Sequence, residues 1–227
     1  VAATKPTMRS LRDALAITTK MDMLARKSSM IPNTHTQQAT CSPSRISLLT
    51  GLRPDKPQVY DLKTLMRDKI PNVVTLPQHF KNIGYTTAGV GKIFDPRGVD
   101  KQSDSVSWSL PYKRAHQLNY PKPWGPPTIG FYQNEEIKKR INTIIKSNDL
   151  NPGEAGHFLE TVYKPPFSSS PAPDEAYADG AIAAEALRMI DDLSQNNKPF
   201  FLAVGFKRPH LPFSAPQKYW NFYNSAR

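Results

Sequence analysis

Cys41-Ser42-Pro43-Ser44-Arg45 is the stretch of this 227-residue chain whose residue types and spacing could do chemistry. It runs into the apolar Ile46 to Leu49 and closes at Thr50-Gly51. Ser42 is an N-cap type, Pro43 suits a first helical position and Gly51 suits the residue past a helix end. The spacing predicts a helix over about 43–50. Cys41 then stands just before a helix N-terminus, where free backbone N–H groups and the positive dipole end favour an anion. Arg45, about one turn in, can present a planar fork of donors to oxyanion oxygens. The residues alone leave two readings open. One is a reactive cysteine beside an oxyanion site. The other is a buried, inert thiol, the commoner fate of a lone cysteine.

Two more cationic stretches follow strand-like segments. Tyr85 to Phe94 is rich in β-formers, carries Gly91-Lys92 and Asp95 near its end, and is bounded by Pro96-Arg97-Gly98. Phe200 to Phe206 is a nearly continuous apolar run, which predicts a strand covered on both faces. It leads directly into Lys207-Arg208-Pro209-His210. A helix over 73–82, with Val74, Leu76 and Phe80 apolar and Gly84 as its cap, precedes the first strand. A helix over 175–193 precedes the second, its stripe formed by Ile182, Ala183, Ala186, Leu187, Ile190 and Leu193. Another helix is expected over 8–29. Residues 95–175 hold eleven prolines and one clear helix, about 134–147, and read as a long irregular insertion.

Helix–strand followed by helix–strand predicts an α/β fold, with a mainly parallel sheet sandwiched by helices. In such sheets ligands bind beyond the carboxyl ends of strands, where Lys92 to Gly98 and Lys207 to His210 would lie. His35, His79, His116 and His157 lack any such context and are expected on the surface or in loops.

Composition removes several alternatives. The chain has 30 Lys+Arg against 19 Asp+Glu, a net charge of +11, and the excess lies in its first half. Such a charge suits an anionic partner. The basic residues are scattered, however, and the densest run, Lys138-Lys139-Arg140, follows Glu135-Glu136 as on a solvated helix face. No nucleic-acid partner is therefore expected. No apolar run approaches eighteen residues, so no membrane span is expected. The single cysteine excludes an internal disulfide framework. Val1 to Pro6 shows no basic stretch followed by an apolar one, so no signal peptide is visible.

The Cys41 stretch resembles the sulfatase signature, C-x-P-S-R followed by an apolar helix ending in T-G. Gln37 to Arg45, Gly51-Leu52-Arg53-Pro54-Asp55, Val90 to Phe94 and Phe200 to Phe213 are similar to the iduronate-2-sulfatase branch, in order and spacing. Asp174 to Gly180 is most similar to bacterial members. The resemblance spans most of residues 20–227. It implies an alkaline-phosphatase-like fold and hydrolysis of sulfuric esters on a uronic acid or similar polysaccharide. In that family the signature cysteine is oxidised by a dedicated maturing enzyme to formylglycine, whose hydrate attacks sulfur beside a divalent cation, usually Ca2+. Carried over by motif, Cys41 is the formylglycine precursor and a metal contact. Arg45 orients it, Lys92 contacts sulfate, and His210 binds or protonates there. Lys207, Arg208 and Asp95 would face the substrate. The implied partners are a sulfated carbohydrate and the formylglycine-generating enzyme, and the implied compartment is periplasmic, extracellular or lysosomal.

Three departures from the family pattern shape the expectation. The place of the paired metal-binding aspartates reads Thr7-Met8-Arg9-Ser10. Asp95 stands where the family has a histidine after G-K. The later metal-binding segment falls outside 1–227, so the chain is expected to be the N-terminal portion of one sulfatase domain, incomplete and weakly active or inactive. Two alternatives remain: a non-catalytic relative that binds sulfated glycans, and a phosphonate or phosphate ester hydrolase of the same superfamily.

Overall fold

The computed structural model describes residues 16–224. The expected metal-ligand position at 7–10 and the first part of the 8–29 helix lie outside the described residues. The chain forms two compact units. Among the described residues, one comprises 16–74 together with 94–102, and the other comprises 75–93 and 103–224.

In the first unit the helices are α1 (Thr19–Arg26), α2 (Cys41–Thr50) and α3 (Met66–Lys69). α1 is shorter than the 8–29 reading, and Met30-Ile31 beyond it are exposed. α2 begins two residues earlier than the sequence suggests. Thr40 is its N-cap, in extended conformation, and the Ser44 amide donates to the Thr40 carbonyl at 3.2 Å. Pro43 is compatible with this earlier start because the first helical N–H groups have no intrahelical acceptor to lose. Gly51 caps the C-terminus at φ 70°, the left-handed conformation that glycine adopts without a Cβ clash.

In the second unit, α4 (Leu76–Asn82) starts from a capping box between Thr75 and Gln78 and turns into β1 (Thr86–Gly91). Then come α5 (Glu135–Ser147), α6 (Pro152–Val162), β2 (Phe167–Ser170), α7 (Ala178–Ser194), β3 (Phe200–Gly205), β4 (Phe213–Pro216) and α8 (Gln217–Asn224). β1 and β3 pair in parallel from Thr86↔Phe200 to Gly91↔Gly205, and β2 and β4 pair in parallel from Phe167↔Phe213. The α/β class and the parallel pairing agree with the sequence reading.

The long insertion is more ordered than its prolines suggest. Besides α5 it contains α6, started by Asn151, whose side chain accepts from the Gly153 and Glu154 amides. α5 and α6 share a small core of Tyr132, Ile141 and Leu159.

The main core lies between α7 and β1: Ala88 and Val90 meet Ala178, Ala181, Ile182, Ala186, Met189 and Leu193. Leu187 and Ile190, assigned to the apolar stripe by spacing, are exposed, and Met189 takes the inward place. The true stripe is rotated by part of a turn, toward the small alanines that let helix and sheet approach. β3 is half-buried rather than covered on both faces. Among the described residues β1 is its strand partner, so one edge has no ladder to shield it.

Candidate active site

Within the first unit, Cys41 is the first residue of α2 and is half-exposed, which disfavours the inert, fully buried thiol. Arg45 lies one turn further along the helix and is also half-buried. Ser42, by contrast, is fully buried, and its hydroxyl has no hydrogen-bond partner among the described residues. It packs against Gly98, where any Cβ would collide with the Ser42 hydroxyl. Gly98 closes a turn by donating to the Asp95 carbonyl at 3.1 Å. The Asp95 turn is thereby seated beside the first turn of α2. The Asp95 carboxylate itself is out of solvent. Arg97 grips it bidentately, Nε to Oδ1 at 2.9 Å and Nη2 to Oδ2 at 3.0 Å.

Within the second unit, Lys92, Lys207, Arg208 and His210 stand at the carboxyl ends of β1 and β3, as the topology argument requires. A pair of glycines sets this end. The Lys92 amide donates to the Gly205 carbonyl at 2.7 Å. A Cβ on Gly205 would strike the Lys92 backbone, and one on Gly91 would strike the Gly205 carbonyl. Gly91 also needs φ 87°. Only glycine at both positions lets the two strands release their cationic residues side by side.

α7 supplies the counter-charge. Asp179, in its first turn, accepts the Lys207 amide at 2.8 Å and the Arg208 amide at 2.9 Å, one on each carboxylate oxygen. The Lys207 ammonium rests 3.9 Å from the centre of the Phe131 ring, and the Arg208 guanidinium 5.7 Å from it. Phe131 reaches there from a turn in which it holds φ 66°, a conformation that bulky residues rarely adopt. Burial, with the neighbouring charge of Lys92, pulls the Lys207 ammonium down to about 8 against a partial upward pull from Asp179. Burial also lowers Arg208, opposed by Asp179, Tyr132 and Tyr177. His210 is exposed, its Nδ1 2.7 Å from the Leu211 carbonyl, while its own carbonyl accepts from Arg208 at 2.6 Å. A cleft of about 450 Å³ opens beside this turn, lined by Phe131, Tyr177, Asp179, Lys207, Arg208 and Tyr219 among others.

Cations gathered around a single carboxylate, itself engaged by backbone amides, form a place that attracts an anion. Asp179 and Phe131 were not singled out by sequence. Asp179 lay inside the segment similar to bacterial members but was given no role, and Phe131 carried no signal. The other four histidines are exposed, as expected.

A calcium ion is a poorer match. It takes six to eight oxygen ligands. Among the described residues no group of three or more His, Cys, Asp and Glu converges, and Asp95 is already held by Arg97. The described residues do not fit that cation by themselves. No described helix is long and apolar enough to cross a membrane.

Comparison with known proteins gives the context. The Sulfatase family model matches residues 2–226. Iduronate 2-sulfatase of Mus musculus is 32% identical over 219 residues, covering 96% of this chain and 35% of that protein. The Homo sapiens protein of the same name is 30% identical, over 96% and 36%. A sulfatase of Formosa agariphila is 27% identical, over 91% and 37%. The chain thus spans about a third of the length of these relatives. Among solved structures, a phosphonate monoester hydrolase of Agrobacterium radiobacter superposes with a TM-score of 0.54 at 21% identity, over 95% of this chain and 41% of that one, a likeness of fold.

Proposed function

The chain belongs to the sulfatase family, and from that premise we propose that it serves the hydrolysis of a sulfuric ester on a uronic-acid-containing polysaccharide, in the manner of iduronate 2-sulfatases. The observation that carries this reading is the cationic turn: Lys92, Lys207 and Arg208 at the strand ends, held around Asp179. A sulfate ester, or a sulfate beside a carboxylate, brings the negative charge that this arrangement lacks.

Cys41 is the residue to be matured. As formylglycine it would supply the hydrated aldehyde that the family uses as nucleophile. Its place in the first turn of α2 suits that role, because the free N–H groups there favour the charge that develops on an oxyanion. Arg45, on the same helix, orients that side chain and adds a fixed positive charge. Asp95, expected from the resemblance to face the substrate, is buried against Arg97, so this turn presents no bare carboxylate to repel an anion. Lys92 takes a sulfate oxygen. Lys207 and Arg208 take the acidic groups of the sugar, and His210, exposed at the rim, exchanges a proton with the leaving group. The partners in this reading are the sulfated saccharide and the enzyme that matures Cys41, in an exported or lysosomal compartment.

The deciding experiment is mass spectrometry of the Cys41 peptide after coexpression with a formylglycine-generating enzyme, followed by binding of a sulfated uronic-acid disaccharide. Replacement of the thiol by an aldehyde, together with binding that Lys92→Met weakens, supports the reading. An intact thiol with retained glycan binding would leave a non-catalytic glycan-binding relative. Preference for a phosphonate ester over the sulfated sugar would move the chain to the other chemistry of the superfamily.

A further inference from the structure

Lys207 and Arg208 need something to fix them, because a turn carrying two adjacent cations beside a third repels itself. The residues facing Lys207 come from every element around it: Lys92 from the end of β1, Arg208 from its own turn, Phe131 from the loop before α5, and Asp179 from α7. Tyr132 and Tyr177 stand near Arg208, both held neutral by burial, which pushes their phenols up to about 12. Asp179 is the one carboxylate in this set. Its two oxygens are used on backbone amides, not on the side-chain cations. That choice ties α7 to the end of β3 and leaves the ammonium and guanidinium groups without a carboxylate bonded to them.

We propose that Asp179 is a positioning residue for the anion site: it holds the Lys207–Arg208 turn by its two amides and sets a carboxylate beside the two cations. The proposal rests on the reading that this turn binds an anionic substrate. It adds that the recognition is set from α7, by a residue that does not itself touch the anion. Phe131 completes the clamp from the opposite side, its ring beneath the ammonium.

The test is made by NMR on the purified chain. In the wild type, the amide protons of Lys207 and Arg208 should both be protected from solvent exchange, as donors to the Asp179 carboxylate. Lys207 itself should titrate near its expected value of about 8. In Asp179→Asn at least one of the two amides loses that protection, and Lys207 loses its proton at a lower pH than in the wild type. In Asp179→Glu, which keeps the charge, Lys207 titrates close to the wild type. A merely structural role for Asp179 would not move the Lys207 midpoint in a folded variant. Two amides that exchange freely with solvent in the wild type would overturn the proposal, even if Asp179→Asn failed to fold. So would an unchanged Lys207 midpoint in folded Asp179→Asn. Added sulfate tests the underlying reading separately: no perturbation of Lys92, Lys207 or Arg208 would sink the anion site while leaving the coupling between Asp179 and the turn intact.

Discussion

Two carboxylates in this chain sit beside basic residues, and they do opposite things with their charge. Asp95, in the first unit, places both oxygens on the guanidinium of Arg97, two residues away. Asp179, in the second, places both oxygens on backbone amides 28 and 29 residues away. The first arrangement neutralises one cation locally. The second leaves the cations charged and fixes where they point. A count of charges along the chain does not distinguish the two, because what matters is which atoms the carboxylate is bonded to.

The comparison can be broken most severely at Gly205. In Gly205→Ala the new methyl meets the Lys92 backbone, so the strand ends must separate. A loss of about 3 kcal/mol is expected, read as a lowered urea midpoint, together with loss of sulfate-induced shifts at Lys207. A near-neutral result would mean that the close approach of the strands does not hold the cations.

Arg97→Ala tests the other side. It leaves a buried carboxylate without its bidentate partner, and about 2 kcal/mol of stability should be lost. Arg97→Lys should recover only part of it, because an ammonium cannot make the two parallel bonds. Full recovery would reduce the pair to simple charge proximity.

Lys207→Met removes one cation and leaves the fold. Sulfate affinity at pH 7 should fall about fivefold, roughly 1 kcal/mol for a half-exposed charge. The pH dependence gives the sign. Lys207 is protonated below about 8 and neutral above it, so wild-type affinity is full below that value and declines as pH rises through it. Lys207→Met should be flat across the same interval. A wild-type affinity that rises with pH would contradict the assignment.

The smallest effect is expected at Lys139→Ala. Its ion pair with Glu135 is three-quarters exposed on both sides, so the urea midpoint should not move measurably. A clear loss would show that geometry on α5 matters as much as burial at Asp95.

Sequence reading went furthest where local rules and structure coincide. Pro43 and Gly51 mark a short helix behind Cys41, and the apolar run 200–206 is a strand. It faltered where the decisive partner is distant. β2 and β4 are four residues each, and Phe167-Ser168-Ser169-Ser170 has too little apolar character to announce a ladder. α6 was hidden among prolines, although Asn151-Pro152-Gly153-Glu154 is a capping box with proline at its first helical position. The stripe of α7 was misplaced because Leu187 and Ile190 are apolar yet outward, while alanines and Met189 face the sheet. Lys207 and Arg208 were placed at a strand end by topology and given a role by resemblance, but the bonds from Asp179 to their amides span 28 and 29 residues and show only in three dimensions.

The pairing of β1 with β3 has a consequence for how the protein comes into being. The partners Thr86 and Phe200 are more than a hundred residues apart, and closing so long a loop before any contact is gained is slow. The cationic turn therefore exists only after that late event. An anion that recognises it binds the finished state and not the searching chain. Sulfate should consequently prolong the lifetime of the folded protein, by slowing its unfolding, and leave the rate at which it first folds almost untouched.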